Sequence, residues 1–235
     1  MNVVSIMAHQ DDEMRCLGTM LKCRARGDRL FFITLTDGSG GFVQQPDIPR
    51  EEAAAIRHEE MSRLAQAAGA DYINLRELDE FLYDTPDLRR RLIGAIRQTG
   101  ANLIFTHHDH DYNLDHTTTH SLVRHCAMQS CLPMIRTDAP PLAEHPAIFC
   151  VQPHGPIPFH PTHFVDIADF EEQKIQLMKL HRSQDEATRA ALRTGLEDYC
   201  RRPDAYGGDQ VGCRYAEGFV PMAARGAIKP HPVLP

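Results

Sequence analysis

The sequence lacks the marks of several large protein classes. It has 25 Lys and Arg residues against 32 Asp and Glu residues, which gives a formal net charge of −7. General nucleic-acid binders need the opposite balance to neutralise phosphates, so we expect no nucleic-acid partner. No apolar run approaches the ~20 residues of a membrane span, so we expect no membrane span either. The opening stretch MNVVSIMAHQ lacks the basic and apolar regions of a secretory signal, which favours a cytoplasmic location.

The cysteines lack a pairing pattern. There are seven, an odd number, and no CxxC spacing occurs among them. A chain of 235 residues with 42% hydrophobic residues can bury enough apolar surface to fold without disulfide staples. The sequence therefore predicts reduced thiols and a single domain over residues 1–235.

The apolar pattern predicts an α/β fold. Short apolar runs typical of buried strands alternate with longer runs of helical spacing. The predicted strands are residues 3–8, 30–36, 72–75 and 102–106, and the predicted helices are 13–26, 51–68, 86–99 and one that begins near 115. This alternation indicates a Rossmann-like, mostly parallel sheet with helices on both faces. Ligands of such sheets bind beyond the carboxyl ends of the strands.

The pattern changes after about residue 132. Residues 133–163 are rich in Pro and His, and we interpret this segment as an insertion, a pocket cover or a contact between the subunits of a homo-oligomer. Short strands at 147–151 and 163–167 and a helix at 169–181 are predicted within or after it. The tail from Pro221 is interpreted as a segment that wraps the surface.

The first concentration of reactive side chains follows the first predicted strand. His9, Asp11, Asp12 and Glu13 stand within five residues. Adjacent residues in a turning segment point in different directions, so one aspartate could bind a metal while the other holds a water. Helix capping is the ordinary alternative, in which Asp11 or Asp12 caps the next helix and Glu13 interacts with its dipole. Capping explains the acidic residues but leaves His9 unexplained.

A second concentration follows the fourth predicted strand. Of the 14 histidines in the chain, six fall within residues 107–125. His116 and His120 are four residues apart, so on a helix they share one face. Neutral imidazoles are common zinc ligands, and Asp115 is a candidate for fixing the tautomer of a histidine. An acidic turn followed by an ordinary helix start is the alternative.

Two further groups of histidines have plainer interpretations. One group is expected to form a surface rim over the pocket: His107, His108 and His110. The other lies in the Pro-rich segment, where a second metal site is not expected: His154, His160 and His163.

The two concentrations together resemble the motifs of a known family. AHQDDE at 8–13 and NLDH at 113–116 are similar to the A/P-H-P-D-D-E and H/N-x-D-H motifs of the PIG-L/LmbE-like zinc-dependent N-acetylglucosaminyl de-N-acetylases. Further similar fragments follow in order: RHEE at 57–60, FVDI at 164–167, HRSQ at 181–184 and YAEGF at 215–219. The resemblance covers about residues 2–220 and implies a PIG-L/LmbE-like deacetylase fold.

The resemblance implies a metal centre and a base. His9, Asp12 and His116 would bind Zn²⁺, although another divalent ion such as Fe²⁺ or Co²⁺ can occupy sites of this kind. Asp11 would be the general base that activates a water on the metal. Two imidazoles and one carboxylate leave open positions on a zinc ion, as a catalytic site requires.

The resemblance also implies roles for residues around the metal. Asp115 would orient a neighbouring histidine or assist the charge network. Asn113 stands where some members have a histidine, and it can donate a hydrogen bond but cannot shuttle a proton. The general acid is therefore open between His120, His181 and no residue. Gln10 replaces the usual proline, which we expect to alter backbone stiffness more than chemistry. The candidate substrate contacts are Arg57, Asp79 and Ser39.

The expected activity is hydrolysis of an amide. The resemblance implies removal of an N-acetyl group from a small amino-sugar substrate of the N-acetylglucosamine type, with release of acetate and a free amine. Three alternatives stay open: an amidase for another acyl–amine conjugate, a non-haem iron oxygenase, and a non-catalytic metal- or sugar-binding protein. The alternating pattern disfavours the oxygenase, which usually has a β-barrel fold. Asp11 disfavours the binding protein, which has no need of a base.

Overall fold

The computed structural model describes residues 1–222, and within them the strands form a seven-stranded sheet in the order β3-β2-β1-β4-β5-β7-β6. The tail that was predicted to wrap the surface is outside the described residues from residue 223 onwards. The strands are β1 Asn2–Met7, β2 Arg29–Thr36, β3 Ala70–Glu77, β4 Leu103–Thr106, β5 Ala147–Val151, β6 His163–Asp166 and β7 Ala216–Pro221.

The first five strands are parallel, whereas β7 runs antiparallel to both of its neighbours, β5 and β6. The predicted Rossmann-like, mostly parallel sheet is therefore confirmed. The helices of the described residues are α1 Leu17–Ala25, α2 Arg50–Ala68, α3 Pro86–Thr99, α4 Leu114–Gln129, α5 Glu171–Met178, α6 Arg182–Leu192 and α7 Leu196–Val211. Within residues 1–222, no helix combines the length and the apolar character that a bilayer crossing needs.

Helices cover both faces of the sheet because its strands are apolar on both faces. Successive residues of a strand point to opposite faces, and Val3 and Val4 accordingly belong to two different apolar clusters. The cluster around Val3 includes residues of α1, α2, α5 and α7. The cluster around Val4 includes residues of α3 and α4. The continuous apolar runs of the sequence thus determine a three-layer architecture.

Two predicted helices differ from the observed ones. The predicted helix at 13–26 begins as a 3₁₀ turn, Asp12–Arg15, and α1 starts only at Leu17. The predicted helix at 169–181 is α5, which ends at Met178, and α6 and α7, which had not been predicted, follow it. The predicted strand at 147–151 is β5, which lies in the sheet between β4 and β7 with all five residues buried.

A buried ion cluster attaches the C-terminal helices to α1. The ammonium of Lys174 lies 2.5 Å from Asp204 Oδ2 and 2.8 Å from Glu217 Oε1. Glu217 also accepts hydrogen bonds from the backbone N–H groups of Gly18 (3.0 Å) and Thr19 (2.7 Å) at the start of α1. The positive end of that helix stabilises the carboxylate. Glu217, a residue of the similar fragment YAEGF, thus has a structural role.

Candidate functional site

The carboxyl ends of the parallel strands meet at one cavity of about 330 Å³. This is the place where the α/β pattern predicts a ligand. The loops after β1, β2, β3, β4 and β5, together with α2 and the start of α4, supply its polar wall. The polar side chains of that wall include His9, Asp11, Asp12, Arg57, Asp79, Asn113, His116 and His154.

The three predicted metal ligands converge in this cavity. His9 Nδ1 lies 3.2 Å from His116 Nε2. One oxygen of Asp12 lies 3.3 Å from His9 Nδ1 and the other lies 3.4 Å from His116 Nε2. Tetrahedral ligands about 2.0–2.1 Å from a zinc ion are about 3.3 Å from one another. The residues present therefore fit a divalent metal ion in both donor type and spacing.

A carboxylate lies behind each candidate imidazole ligand. His9 Nε2 is 2.9 Å from Asp79 Oδ1 and 3.4 Å from Asp115 Oδ2. His116 Nδ1 is 3.0 Å from Asp111 Oδ2. Carboxylates in such positions fix the tautomer and the orientation of a metal-binding histidine. They leave Nδ1 of His9 and Nε2 of His116 available to a metal.

The charges around these histidines favour a cation. Burial by itself lowers the pKa of His116, but Asp12 and Asp111 outweigh it and raise that pKa to about 9. Burial likewise lowers the pKa of His9, and the carboxylates around it raise the pKa well above its ordinary value. Carboxylates that hold protons on nearby imidazoles so strongly also attract a metal ion in their place.

The predicted base, Asp11, is held from two sides. Its backbone has φ of 126°, in a region that L residues rarely adopt. Its Oδ1 accepts a hydrogen bond from Arg57 Nη2 at 2.9 Å, and Arg57 also donates to the carbonyl of Gln10. Its own N–H donates to Glu13 Oε2 at 3.1 Å, while Glu13 Oε1 lies 2.9 Å from His181 Nε2. Burial raises the pKa of Asp11, and the charge of Arg57 opposes this shift.

Asp115 lies behind His9 and not behind His116, its neighbour in sequence. Its oxygens accept hydrogen bonds from the backbone N–H groups of Glu80 (2.8 Å) and Leu82 (3.1 Å), which connect the loop after β3 to α4. The expectation that Asp115 orients a histidine therefore fits His9. The carboxylate that contacts the Nδ1 of His116 belongs to Asp111.

The three candidate substrate contacts each interact with other groups of the protein. Ser39 donates its hydroxyl to Asp37 Oδ1 at 2.7 Å and is absent from the described lining of the cavity. Asp79 lines the cavity, accepts a hydrogen bond from the N–H of Gly40 at 2.7 Å and faces the candidate ligand His9. Arg57 lines the cavity with 1% of its surface exposed. Asp79 thus contacts His9 and Arg57 contacts Asp11, whereas Ser39 lies outside the cavity lining.

Asn113 and His120 differ in their position relative to the cavity. Asn113 lines the cavity, and its Oδ1 caps α4 by accepting from the N–H groups of Asp115 (2.7 Å) and His116 (3.3 Å). Its Nδ2 donors are not needed for that cap. His120 Nδ1 lies 2.9 Å from the carbonyl oxygen of His107, and His120 is not among the described residues that line the cavity. The proposed acid role of His120 therefore lacks a path to a substrate.

Sequence analysis missed the positions of His107 and His154. His107 was expected on a surface rim, but it is 1% exposed, and its Nε2 accepts the N–H of Ala8 at 3.0 Å. That lone pair is not available to a metal, and burial lowers the pKa of His107 to about 4. His154 lines the cavity with Nε2 3.4 Å from Asp12 Oδ1. Its position three residues beyond the predicted strand at 147–151 was the signal that could have identified it.

Comparison with known proteins adds a family. The model of the PIG-L family, described as GlcNAc-PI de-N-acetylase, matches residues 4–127. This range contains both motifs and all of the candidate metal ligands.

Individual relatives cover more of the chain. A diacetylchitobiose deacetylase of Thermococcus kodakarensis is 29% identical over 232 residues, 93% of this chain and 83% of the relative. The solved structure of an N,N'-diacetylchitobiose deacetylase from Pyrococcus horikoshii is similar, with a TM-score of 0.81 and 26% sequence identity. The match covers 94% of this chain and 83% of the deacetylase chain. A 4-carboxy-2-hydroxymuconate hydratase from Pseudomonas putida KT2440 has a TM-score of 0.80 at 18% sequence identity. The match covers 98% of this chain and all of the hydratase chain. The last similarity concerns the fold alone.

Proposed function

This chain belongs to the PIG-L family, described as GlcNAc-PI de-N-acetylase, and we propose that it is a metal-dependent hydrolase that removes the N-acetyl group from a small amino sugar of the N-acetylglucosamine type. The observation that carries the proposal is the convergence of His9, Asp12 and His116 beside Asp11 in one cavity. The fold by itself does not carry it, because a hydratase has a similar fold.

The proposed metal is Zn²⁺ or another divalent ion such as Fe²⁺ or Co²⁺, held by His9, Asp12 and His116. When bound, such an ion supplies Lewis acidity that lowers the pKa of water and stabilises negative charge on an amide oxygen. Two imidazoles and one carboxylate do not fill the coordination sphere, which is typical of catalytic sites. Asp79 and Asp111 hold the two histidines in the orientation that this requires.

Asp11 is the proposed general base. It takes a proton from the attacking water at its free carboxylate oxygen, because Arg57 occupies Oδ1. Burial raises its pKa, which makes the carboxylate a stronger base than an exposed aspartate. The same residue then returns that proton to the leaving nitrogen, since amines leave poorly without one. The strained backbone and the bond to Glu13 hold Asp11 in place for both steps.

Asn113 and His154 are the proposed hydrogen-bonding groups for the reacting amide. The Nδ2 of Asn113 is free to donate because its Oδ1 caps α4. Such donors stabilise the negative charge that develops on the carbonyl oxygen. His154 lines the same cavity, and burial holds its pKa well below the ordinary value, so it is present as a neutral imidazole. His154 replaces His120 in this proposal because of its place in the cavity.

The direct test is acetate release from N-acetylglucosamine and its glycosides, with and without added metal. The wild type is compared with Asp11→Asn and with Asp71→Asn, a matched change of an exposed aspartate in β3. We expect metal-dependent release that falls by about 10²- to 10⁴-fold in Asp11→Asn and is unchanged in Asp71→Asn. Stoichiometric metal binding without acetate release from any of these substrates would overturn the proposal.

A further inference from the structure

The cavity has a second wall that the proposed chemistry does not use. It is lined by apolar or largely apolar side chains from α6 and α7: Ala187, Ala191, Leu192, Leu196 and Tyr199. Met14, which follows β1, and Val43, in the loop after β2, line the same cavity. We call these seven residues the apolar wall. Proton transfer and metal binding give no reason for it.

α6 presents one face to the cavity. Ala187 and Ala191 are four residues apart, as are Thr188 and Leu192, so the two pairs lie in adjacent rows of the helix. The exposed charged side chains of this helix and its C-cap lie outside the cavity lining: Arg182, Glu186, Arg189 and Arg193. The helix thus separates a charged outer face from a mostly apolar inner face.

Two large apolar side chains of the wall remain in contact with solvent. Leu192 is 56% exposed and Val43 is 61% exposed, and both line the cavity. One exposed apolar side chain is ordinary for a soluble domain, but two that line the same cavity indicate a binding surface. Burying them against a hydrocarbon group is favourable, because it removes apolar surface from water.

The apolar wall begins close to the candidate metal ligands. His154 Nε2 is 3.4 Å from Asp12, and the ring of His154 has its centroid 5.7 Å from that of Tyr199. Arg15 lies over the ring of Tyr199, 5.0 Å from its centroid, and donates to the Tyr199 carbonyl. These contacts with Arg15 hold Tyr199, the residue of the apolar wall that lies beside His154. A substrate whose amide reaches Asp12 therefore places its neighbouring groups against the wall.

We infer that the apolar wall is a subsite for a hydrocarbon group carried by the amide substrate, and this inference rests on the proposed function. Two parts of an N-acyl amino sugar could supply such a group. One is an acyl chain longer than acetyl, and the other is an alkyl or aryl aglycone. The recognising chemistry is the same in both cases, burial of apolar surface on α6 and on the start of α7.

The test measures binding and turnover separately. Metal-loaded Asp11→Asn protein is titrated calorimetrically with the methyl, butyl and hexyl glycosides of N-acetylglucosamine, and with N-acetyl-, N-butanoyl- and N-hexanoylglucosamine. We expect affinity to rise about two- to fourfold per added methylene in one of the two series, which identifies the source of the hydrocarbon group. The wild type is expected to show a parallel fall in KM. Equal affinities along both series would overturn the inference.

A matched pair of variants locates the subsite. Ala190 and Ala191 are adjacent and exposed in α6, but only Ala191 lines the cavity. We expect Ala191→Asp to remove the gain in affinity with chain length and Ala190→Asp to keep it. Leu192→Gln, at a half-exposed position where folding is not in question, is expected to reduce the gain. Retention of the full gain in both Ala191→Asp and Leu192→Gln would overturn the location.

Failure of the proposed function has a different signature. Absence of acyl release from every substrate, together with a chain-length gain in affinity that Ala191→Asp removes, would contradict the hydrolase proposal and support the subsite. Acetate release with no chain-length dependence of either KM or affinity would support the hydrolase proposal and overturn the subsite.

Discussion

Arg57 Nη2 lies 2.9 Å from Asp11 Oδ1, and this pair places a buried guanidinium directly behind the proposed base. Arg57 was a candidate substrate contact because of its resemblance to a family fragment. In the structure its Nη2 donates to two protein groups, the carboxylate of Asp11 and the carbonyl of Gln10. A positioning role and a substrate-binding role make different predictions.

Replacement of Arg57 by Met is expected to lower kcat by about tenfold to a hundredfold with little change in KM, because the base loses its support. The positive charge of Arg57 lowers the pKa of Asp11. Its removal is therefore expected to move the acidic limb of the kcat/KM profile to higher pH. Steady-state kinetics across pH, with Arg57→Lys as the conservative variant that retains the charge, checks both effects. A raised KM with unchanged kcat and pH profile would instead indicate a substrate contact.

Asp111 is expected to control metal affinity through His116. Its Oδ2 lies 3.0 Å from His116 Nδ1, on the side of the ring away from the candidate metal position. Asp111→Asn is expected to weaken metal binding by about 10- to 100-fold, measured by competition with a chelator. Asp109→Asn changes a half-exposed aspartate of the same loop and is the matched control. Equal metal affinities of the two variants would show that the contact has no such role.

The buried carboxyl of Glu171 is expected to make stability depend on pH. Burial raises its pKa from 4.5 to about 7, and Lys174 opposes that shift only in part. Because the folded state favours the neutral form, the unfolded chain loses this proton first as pH rises. The contribution of Glu171 to the free energy of unfolding therefore falls between pH 4.5 and about 7 and stays low above it.

Glu171→Gln, which imitates the neutral form, is accordingly expected to stabilise the protein at pH 8. The gain in free energy of unfolding is up to about 3 kcal/mol, and it disappears below pH 4.5. Denaturant unfolding at pH 4 and pH 8 measures it. Glu172→Gln alters the adjacent, exposed carboxylate and is expected to change stability by less than about 0.5 kcal/mol at either pH. An equal change in the free energy of unfolding in the two variants would contradict the raised pKa of Glu171.

His154 and His120 are expected to respond differently to the same substitution. His154→Gln is expected to lower kcat by about tenfold or more while the melting temperature changes little, since the side chain lines the cavity. His120→Gln removes a contact with the carbonyl of His107 and is expected to destabilise the protein by about 1 kcal/mol. Kinetics and thermal unfolding of both variants separate the two effects. The reverse pattern would restore His120 as the acid candidate.

The sequence predicted the sheet and the place of the site well, because both depend on local patterns. Continuous apolar runs can be satisfied only by strands covered on both faces, so the parallel sheet and its helices follow from spacing. The topological rule then placed His9, Asp12 and His116 at one edge of the sheet. The distances among their ligand atoms, 3.2–3.4 Å, agree with that expectation.

Only the tertiary structure decided which neighbours those residues have. Asp115 follows the same turn as His116 but contacts His9, because α4 points its carboxylate toward the loop after β3. His154 enters the cavity from a loop 38 residues further along the chain from His116, and α6 adds an apolar wall that no motif marks. Such contacts depend on where separate elements pack in space, which spacing along the chain does not encode. The sequence by itself therefore determined the fold class and the residue types of the candidate metal site, whereas packing determined the neighbours of each candidate ligand and the shape of the pocket.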